Sequence, residues 1–374
     1  MRICYLANIV SVHAKKWVSY FVNKGYDVHV ISFEKGTIYG AKVHIIRMPF
    51  LSRNRTFGLK MMYLGKIRKL IDKIKPDLIH AFYVTNYGYF ASKMDFHPLI
   101  VTAEGSDILE LKTESRIMRY AKRKIAEGVL KKADLMTTDA NHVKARMFEL
   151  GANQGKIEVV QFGVDVNKFT TNGNHTKIDQ VKTKLNIHNR PSVISLRNLY
   201  PIYNVETLIK SIPMVIGEHP TCKFIIASTG SEKEKLVSMA TSLGIDQPYN
   251  LEFVGRIEND ELPNYLNAVD VYVSTSLSDA GLSMSTAEAM ACGRVVLITD
   301  TYENKDWVSD ADQFLFKNHD SAELAVKLNR ILGWDKDTHQ KYGNLNREKV
   351  VKDDNYDTCM NKMDSIYWKQ YTRS

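Results

Sequence analysis

The 374-residue chain has four cysteines, Cys4, Cys222, Cys292 and Cys359, and none stands in a C-x-x-C pair or at zinc-ligand spacing. That scarcity excludes a disulfide-stapled scaffold and a zinc ribbon, and it suits a reducing cytosol. None of the 11 histidines forms an H-x-x-x-H pair, which argues against a zinc hydrolase. No apolar run approaches the ~18 residues a membrane-spanning helix needs. The opening MRICYLANIV is too short for a secretion signal; Ser11, His13, Lys15 and Lys16 follow it without a small-residue cleavage site. A buried first strand is the expectation there. Apolar content of 44% and charged content of 25% leave no reason to expect long disorder.

What the chain has in excess is positive charge, unevenly placed. The net charge is +9, but residues 1–174 carry 28 Lys and Arg against 15 Asp and Glu, so the remainder is net acidic. A polyanionic partner is expected for the first half, either nucleic acid or an anionic membrane surface.

Short β-rich runs alternate with amphipathic stretches throughout. RICYLAN, DVHVISF, KVHIIRM, DLIHAF, LIVTAEG, LMTTDA and IEVVQFG fill the first half; SVISLRN, KFIIAST, LEFVGR, VDVYVSTS and RVVLITD fill the second. Such alternation predicts α/β architecture with parallel sheets covered on both faces. TTNGNHTKIDQ at 170–180 reads as the connector between two doubly wound domains. The expected boundaries are 1–172, 173–355, and a last helix at 356–374 returning to the first domain.

In open α/β sheets, ligands gather at the carboxyl ends of strands, so the residues just after each run carry the chemistry. GVDVNKF closes the first half: Gly163 permits a positive-φ turn, and Phe169 can pin the connector to the core. In SLRNLYPIYNVETLIKS, Arg197 stands at a strand exit, suited to a phosphate. Asn204 there can cap a helix with apolar positions Val205, Leu208, Ile209 and Ile212. In SDAGLSMSTAEAMACG, amides near Gly281, Leu282 and Ser283 precede a helix start, the arrangement that receives anions. Glu288, among Ala and Met, can accept two hydroxyls of a ribose diol. A structural Arg–carboxylate pair at Arg197, and a dipole-complementing surface role for Glu288, are the plain alternatives.

Together, GVDVNKF, Arg197, VGRI (254–257) and the SDAG…EAMACG block resemble the retaining nucleotide-sugar glycosyltransferases of family 4. The resemblance covers nearly the whole chain and is most specific over 195–300. It implies the GT-B architecture, two Rossmann-like domains facing a central cleft. It also implies that Arg197 neutralises a donor diphosphate, that Gly281, Leu282 and Ser283 hold sugar and phosphate, and that Glu288 binds the ribose. Asp279 sits near the acid that binds donor-sugar hydroxyls. Val254, Arg256 and Ile257 follow the strand where the base is read, and Asn204 belongs to the donor loop. On the acceptor side are His13, His80, Gly105 and Ser106, with His13, Glu104 and Asp107 as candidates to orient the acceptor hydroxyl.

Four departures are visible. The family's phosphate-binding Lys, and the Gly after it, are Tyr203 and Asn204 here; the His before the Gly at Gly105 is Glu104. The acid spacing is one residue off, so that Ala280 takes the strict place of the first acid. The first loop reads NIVSVHAKKW where a Gly-Gly pair is usual.

Asp310-Ala311-Asp312 and Asp335-Lys336-Asp337 follow no ligand-facing strand and read as solvated turns; no metal or other cofactor is expected. Two basic amphipathic segments, 53–75 and 116–134, fit either a sheet-covering helix or an anionic membrane surface. The resulting expectation is a retaining glycosyltransferase. It would use a nucleotide-diphosphate donor, UDP-linked, and a saccharide or lipid-linked acceptor in cell-surface glycan synthesis. It would be cytoplasmic, peripheral at the membrane, with no nucleic-acid partner. A nucleotide-sugar epimerase of the same architecture, or a non-catalytic sugar- or membrane-binding protein, are the alternatives.

Overall fold

A computed structural model describes residues 1–47, 63–109, 115–279, 281–302 and 304–373. The chain divides into two α/β units, Met1–Phe162 with Thr358–Ser374, and Gly163–Asp357. The break falls ahead of GVDVNKF rather than at 172, and half of the supposed connector is helix: Asn174 caps His175–Leu185 by accepting from the Lys177 amide at 3.1 Å.

The first unit is built on seven parallel strands: β1 (Arg2–Leu6), β2 (Asp27–Ser32), β3 (Lys42–Ile45), β4 (Leu78–Phe82), β5 (Leu99–Ala103), β6 (Leu135–Thr138) and β7 (Ile157–Val159). Their order is β3-β2-β1-β4-β5-β6-β7. β4 and β5, in the middle of the sheet, are buried along their whole length because helices cover both faces. A ladder of polar side chains crosses this apolar interior. Thr137 on β6 bonds Thr102 on β5 at 2.6 Å, and Thr102 bonds His80 Nε2 on β4 at 2.6 Å. His80 Nδ1 meets the Tyr367 hydroxyl at 2.5 Å, and Tyr367 meets Tyr5 on β1 at 3.0 Å. Tyr367 belongs to the last helix, Tyr356–Tyr371, which the ladder stitches to the sheet.

The second unit has six parallel strands: β8 (Ser192–Ser195), β9 (Lys223–Ile226), β10 (Leu251–Phe253), β11 (Val271–Ser274), β12 (Val295–Thr299) and β13 (Leu315–Phe316). Their order is β10-β9-β8-β11-β12-β13. Strand order reverses between β8 and β11, so the loops leaving those two neighbours diverge at a topological switch point. Val205, Leu208, Ile209 and Ile212 line the buried face of helix Val205–Glu218, as their spacing predicts. Gly163 has φ +79°, and a Cβ there would lie 2.5 Å from the Tyr356 Cα, so both the turn and the close approach require glycine. Phe169 is buried in the core of this unit.

Candidate active site

The elements at the switch point of the second unit carry three of the charged candidates, Arg197, Asp279 and Glu288. Arg197 leaves β8 two residues after its end and is buried. One Nη donates to Asp279 Oδ1 at 2.5 Å, and Asp279 lies on the loop leaving β11. Longer contacts of 3.4 Å reach Ser276 Oγ on that loop and Ser285 Oγ on the following helix. The Tyr203 ring lies under the guanidinium, 4.5 Å from Cζ, a cation–π distance. Burial is the largest single influence and works against the Arg197 charge, but Asp279, Tyr272 and Tyr203 together outweigh it and raise the pKa, so the group stays protonated. Arg197 Nε finds no hydrogen-bond partner among the described residues.

The helix Met284–Ala291 begins where the sequence pattern places it. Ser283 is its N-cap and accepts from the Thr286 amide at 3.3 Å. Its small residues Ala287, Ala289 and Ala291 are buried, allowing close packing on the sheet. Glu288 lies on the second turn and is buried rather than surface-facing, which removes the dipole-complementing surface reading. Leu282, just before the Ser283 cap, is buried in the core of this unit. Asp279, expected at donor-sugar hydroxyls, is instead turned onto Arg197; Ala280, the strict place of the first acid, lies outside the described residues.

Asn204 corrects one expectation. It stands at the N-cap of Val205–Glu218 with φ +47°, but its amide donates to Thr207 Oγ1 at 2.8 Å and accepts no helix N–H. Its backbone is left-handed, a region that glycine enters freely and that Asn tolerates better than other residues with a Cβ. Val254, Arg256 and Ile257 follow β10, two strands from β8. Val254 and Ile257 pack on the core, Gly255 takes φ +74°, and Arg256 is exposed.

In the first unit the candidates separate by environment. His80 is fully buried within β4 and spends both ring nitrogens on Thr102 and Tyr367; burial lowers its pKa to about 3. It does not belong to an acceptor site, because it lies before the strand's end rather than after it. Asp107 is also withdrawn: its carboxylate accepts from the Val84 amide at 2.5 Å and the Glu104 amide at 3.1 Å, pinning the loops that leave β4 and β5. Burial raises its pKa to about 6 against those amides. It holds the loops rather than reaching an acceptor.

Glu104 and His13 remain available for chemistry. Glu104 is half-buried at the end of β5, where burial, then Asp107 and Asp139, raise its pKa to about 8. It is therefore largely a neutral acid at pH 7, able to donate as well as accept. Gly105 beside it has φ +91°, and Ser106 is exposed with its hydroxyl 3.2 Å from that of Tyr83. His13, on helix Val12–Asn23, packs against Phe162 with ring centroids 4.0 Å apart and the planes tilted by 40°. Burial and then Lys16 lower its pKa to about 4, and its Nδ1 has no hydrogen-bond partner among the described residues.

Both acidic dipeptide patterns are helix caps: Asp310 accepts from the Gln313 amide and Asp335 from the Thr338 amide. Ser276, Ser285 and the Tyr272 hydroxyl that bonds Ser285 at 2.8 Å were not among the predicted site residues. Nothing in their local pattern sets them apart; only the parallel pairing of β8 with β11 brings them to Arg197.

Comparison with known proteins decides the class. The family model for Glycosyl transferase 4-like proteins matches residues 2–140, and that for Glycosyl transferases group 1 matches 177–349. The chain belongs to the group 1, family 4-like glycosyltransferases. An uncharacterised glycosyltransferase of Methanocaldococcus jannaschii is 23% identical over 331 residues, covering 83% of this chain and 82% of its own. A GDP-mannose-dependent monoacylated α-(1-6)-phosphatidylinositol monomannoside mannosyltransferase of Corynebacterium glutamicum is 27% identical over 221 residues, 57% of this chain and 56% of its own. Among solved structures, Anabaena HepE in complex with UDP and glucose superposes with a TM-score of 0.83 at 17% identity, covering 99% of this chain and all of that one. This likeness establishes the GT-B fold of the glycosyltransferase, whose two α/β units are the two described above. Within the enzyme, the group 1 match spans the whole Arg197–Glu288 constellation.

Proposed function

We propose that this glycosyltransferase moves a sugar, with retention, from a UDP-linked donor to a saccharide or lipid-linked acceptor in the assembly of a cell-surface glycan. The observation that carries the reading is the constellation at the β8–β11 switch point: a buried guanidinium at one strand exit, a capped helix start at the other, and a buried carboxylate on that helix. Cleaving the donor builds negative charge on the leaving diphosphate. Arg197 and the amides at Gly281, Leu282 and Ser283 stabilise it there, in a site where burial strengthens each interaction. Glu288 grips the ribose diol. With no side-chain nucleophile evident among the described residues, the acceptor attacks from the side the diphosphate leaves, and the phosphate oxygen takes the acceptor proton. Glu104 and His13 are the groups left to orient that hydroxyl; no metal or other cofactor enters this scheme.

Support for UDP is that the HepE structures hold UDP or UDP-glucose; the mannosyltransferase relatives are named for GDP-mannose, so GDP is the alternative base. The lipid-linked acceptor rests on helix Arg116–Lys132. There Ile117, Met118 and Tyr120 are 84%, 53% and 64% exposed among Arg116, Arg119, Lys122, Arg123 and Lys124. An apolar tip ringed by cations suits an anionic membrane surface; Leu59 and Met62 of the other basic segment lie outside the described residues. Among the described residues no helix is long and apolar enough to cross a membrane. A cytoplasmic, peripheral site of action follows from this reading. The test is donor hydrolysis with UDP- and GDP-sugars. One of them should turn over, and Glu288→Ala should abolish that turnover without lowering the melting temperature of the donor-free protein by more than a few degrees. Turnover unchanged in Glu288→Ala refutes the assignment.

A further inference from the structure

The cation that would receive the diphosphate is already occupied. Arg197 and Asp279 form an ion pair at 2.5 Å, with only 8% and 15% of their side chains exposed. Tyr203 stands where the family resemblance places a second cation, and its ring packs on the guanidinium instead. Tyr203 is itself tied to the loop leaving β11, since its carbonyl accepts from Thr275 Oγ1 at 2.9 Å. The pair thus presents no net charge to a donor, while Arg197 Nε keeps an unsatisfied N–H in the interior.

A pyrophosphate makes the same demand on Arg197 as the carboxylate does, namely charge-assisted hydrogen bonds to oxygen. Asp279 lies five residues past the end of β11 and four before the Ser283 helix cap, so it can leave without unmaking either element. We propose that Asp279 is an internal competitor for the donor diphosphate, closing on Arg197 in the free enzyme and setting donor affinity by how readily it is displaced. This rests on the donor reading above. Apparent affinity falls in proportion to the fraction of molecules with Arg197 unpaired. Tyr203 contributes by holding the guanidinium plane where Asp279 meets it and by withholding the second charge that would tip the exchange.

The test measures binding by calorimetry to the full-length protein at fixed salt, using inorganic pyrophosphate, UDP, GDP and uridine. Asp279→Asn and Asp279→Ser should each tighten pyrophosphate and the preferred nucleoside diphosphate by about tenfold, the release expected for a pair closed in nine molecules of ten. Uridine should be unaffected. Tyr203→Lys leaves the carboxylate in place but offers it a second cation, and should shift the same two ligands in the same direction. Pyrophosphate affinity unchanged or weakened in the Asp279 variants overturns the proposal, because Asp279 would then be positioning Arg197 rather than competing for it. If Asp279 substitution lowers the melting temperature enough to prevent the measurement, Tyr203→Lys decides, and an unchanged pyrophosphate affinity there counts against it. Pyrophosphate that tightens while neither UDP nor GDP binds at all leaves the competition standing and removes the donor reading instead.

Discussion

Replacing Tyr367 by Phe isolates the polar ladder that joins the last helix to the first sheet. The substitution keeps the ring, its packing on Phe21 at 4.7 Å between centroids, and its volume. It deletes a hydroxyl that is fully buried and bonded to His80 Nδ1 at 2.5 Å and to Tyr5 at 3.0 Å. Each bond contributes about 0.5–1.5 kcal/mol net, and the larger effect is the buried nitrogen left without a partner, at about 1–3 kcal/mol. The remaining oxygen of Tyr5 adds less, since it can still be reached by small adjustments. A loss of about 2–4 kcal/mol follows. Trp17, 5.6 Å from the His80 ring, provides a fluorescence probe inside the same unit. Urea titration followed at that tryptophan, in a protein whose other tryptophans are replaced by Phe, should show the midpoint falling by about 1 M or more for a slope of 1–3 kcal/mol per M. A change below about 0.5 kcal/mol at constant slope would mean the ladder is not a closed network, and would reopen a ligand-facing role for His80.

Stability should form a dome in pH, with its two limbs traceable to different groups. His80 and His13 have pKa values lowered to about 3 and about 4 from 6.5, so the unfolded chain binds more protons and stability falls as pH drops below about 6.5. Glu104, raised from 4.5 to about 8, holds a proton the unfolded chain releases, so its contribution is lost as pH rises from about 4.5 towards 8. Melting temperatures across that range should fall less steeply on the alkaline side in Glu104→Gln, and an unaltered alkaline limb would refute the neutral-acid assignment. On the proposed membrane docking, Ile117→Asp with Tyr120→Asp should reduce sedimentation with vesicles rich in phosphatidylglycerol several-fold while leaving donor hydrolysis intact. Equal recovery with anionic and with pure phosphatidylcholine vesicles would exclude the electrostatic part of the docking.

Most of the sheet framework is readable because buried parallel strands are short continuous apolar runs, and twelve of the runs picked out by that rule coincide with strands. β13 escapes it because Leu315–Phe316 is two residues long and carries no period. The domain boundary is displaced for a related reason: Asn, Gly and Thr at 170–174 do mark a break, but one that caps a helix inside the second unit rather than a linker between units. The places of Arg197, Glu288 and the Ser283 cap are legible because a strand exit and a helix start both leave a local pattern. His80 and Asp107 are misread by the same rule. A His near a strand end and an Asp in a loop look alike in sequence whether they face a ligand or the interior, and only the ladder through Thr102 and the Val84 amide separates the cases.

The departures from the family pattern fall into two physical kinds, and the difference bears on mechanism. Asn204 in place of Gly preserves what the backbone needs, a left-handed residue at φ +47° before helix Val205–Glu218. The loop can therefore keep its path although its residue type has changed. Tyr203, where the resemblance places a Lys, carries no net charge. It converts a second positive charge into an aromatic face against the first, and the buried Arg197–Asp279 pair then neutralises what remains. A buried ion pair gives weak grounds for stability, because desolvation offsets much of its attraction. Its place at a strand exit, where ligands gather in open α/β sheets, fits the competition proposed above. On that proposal the charge of the donor site is held in check until a diphosphate takes the place of a carboxylate.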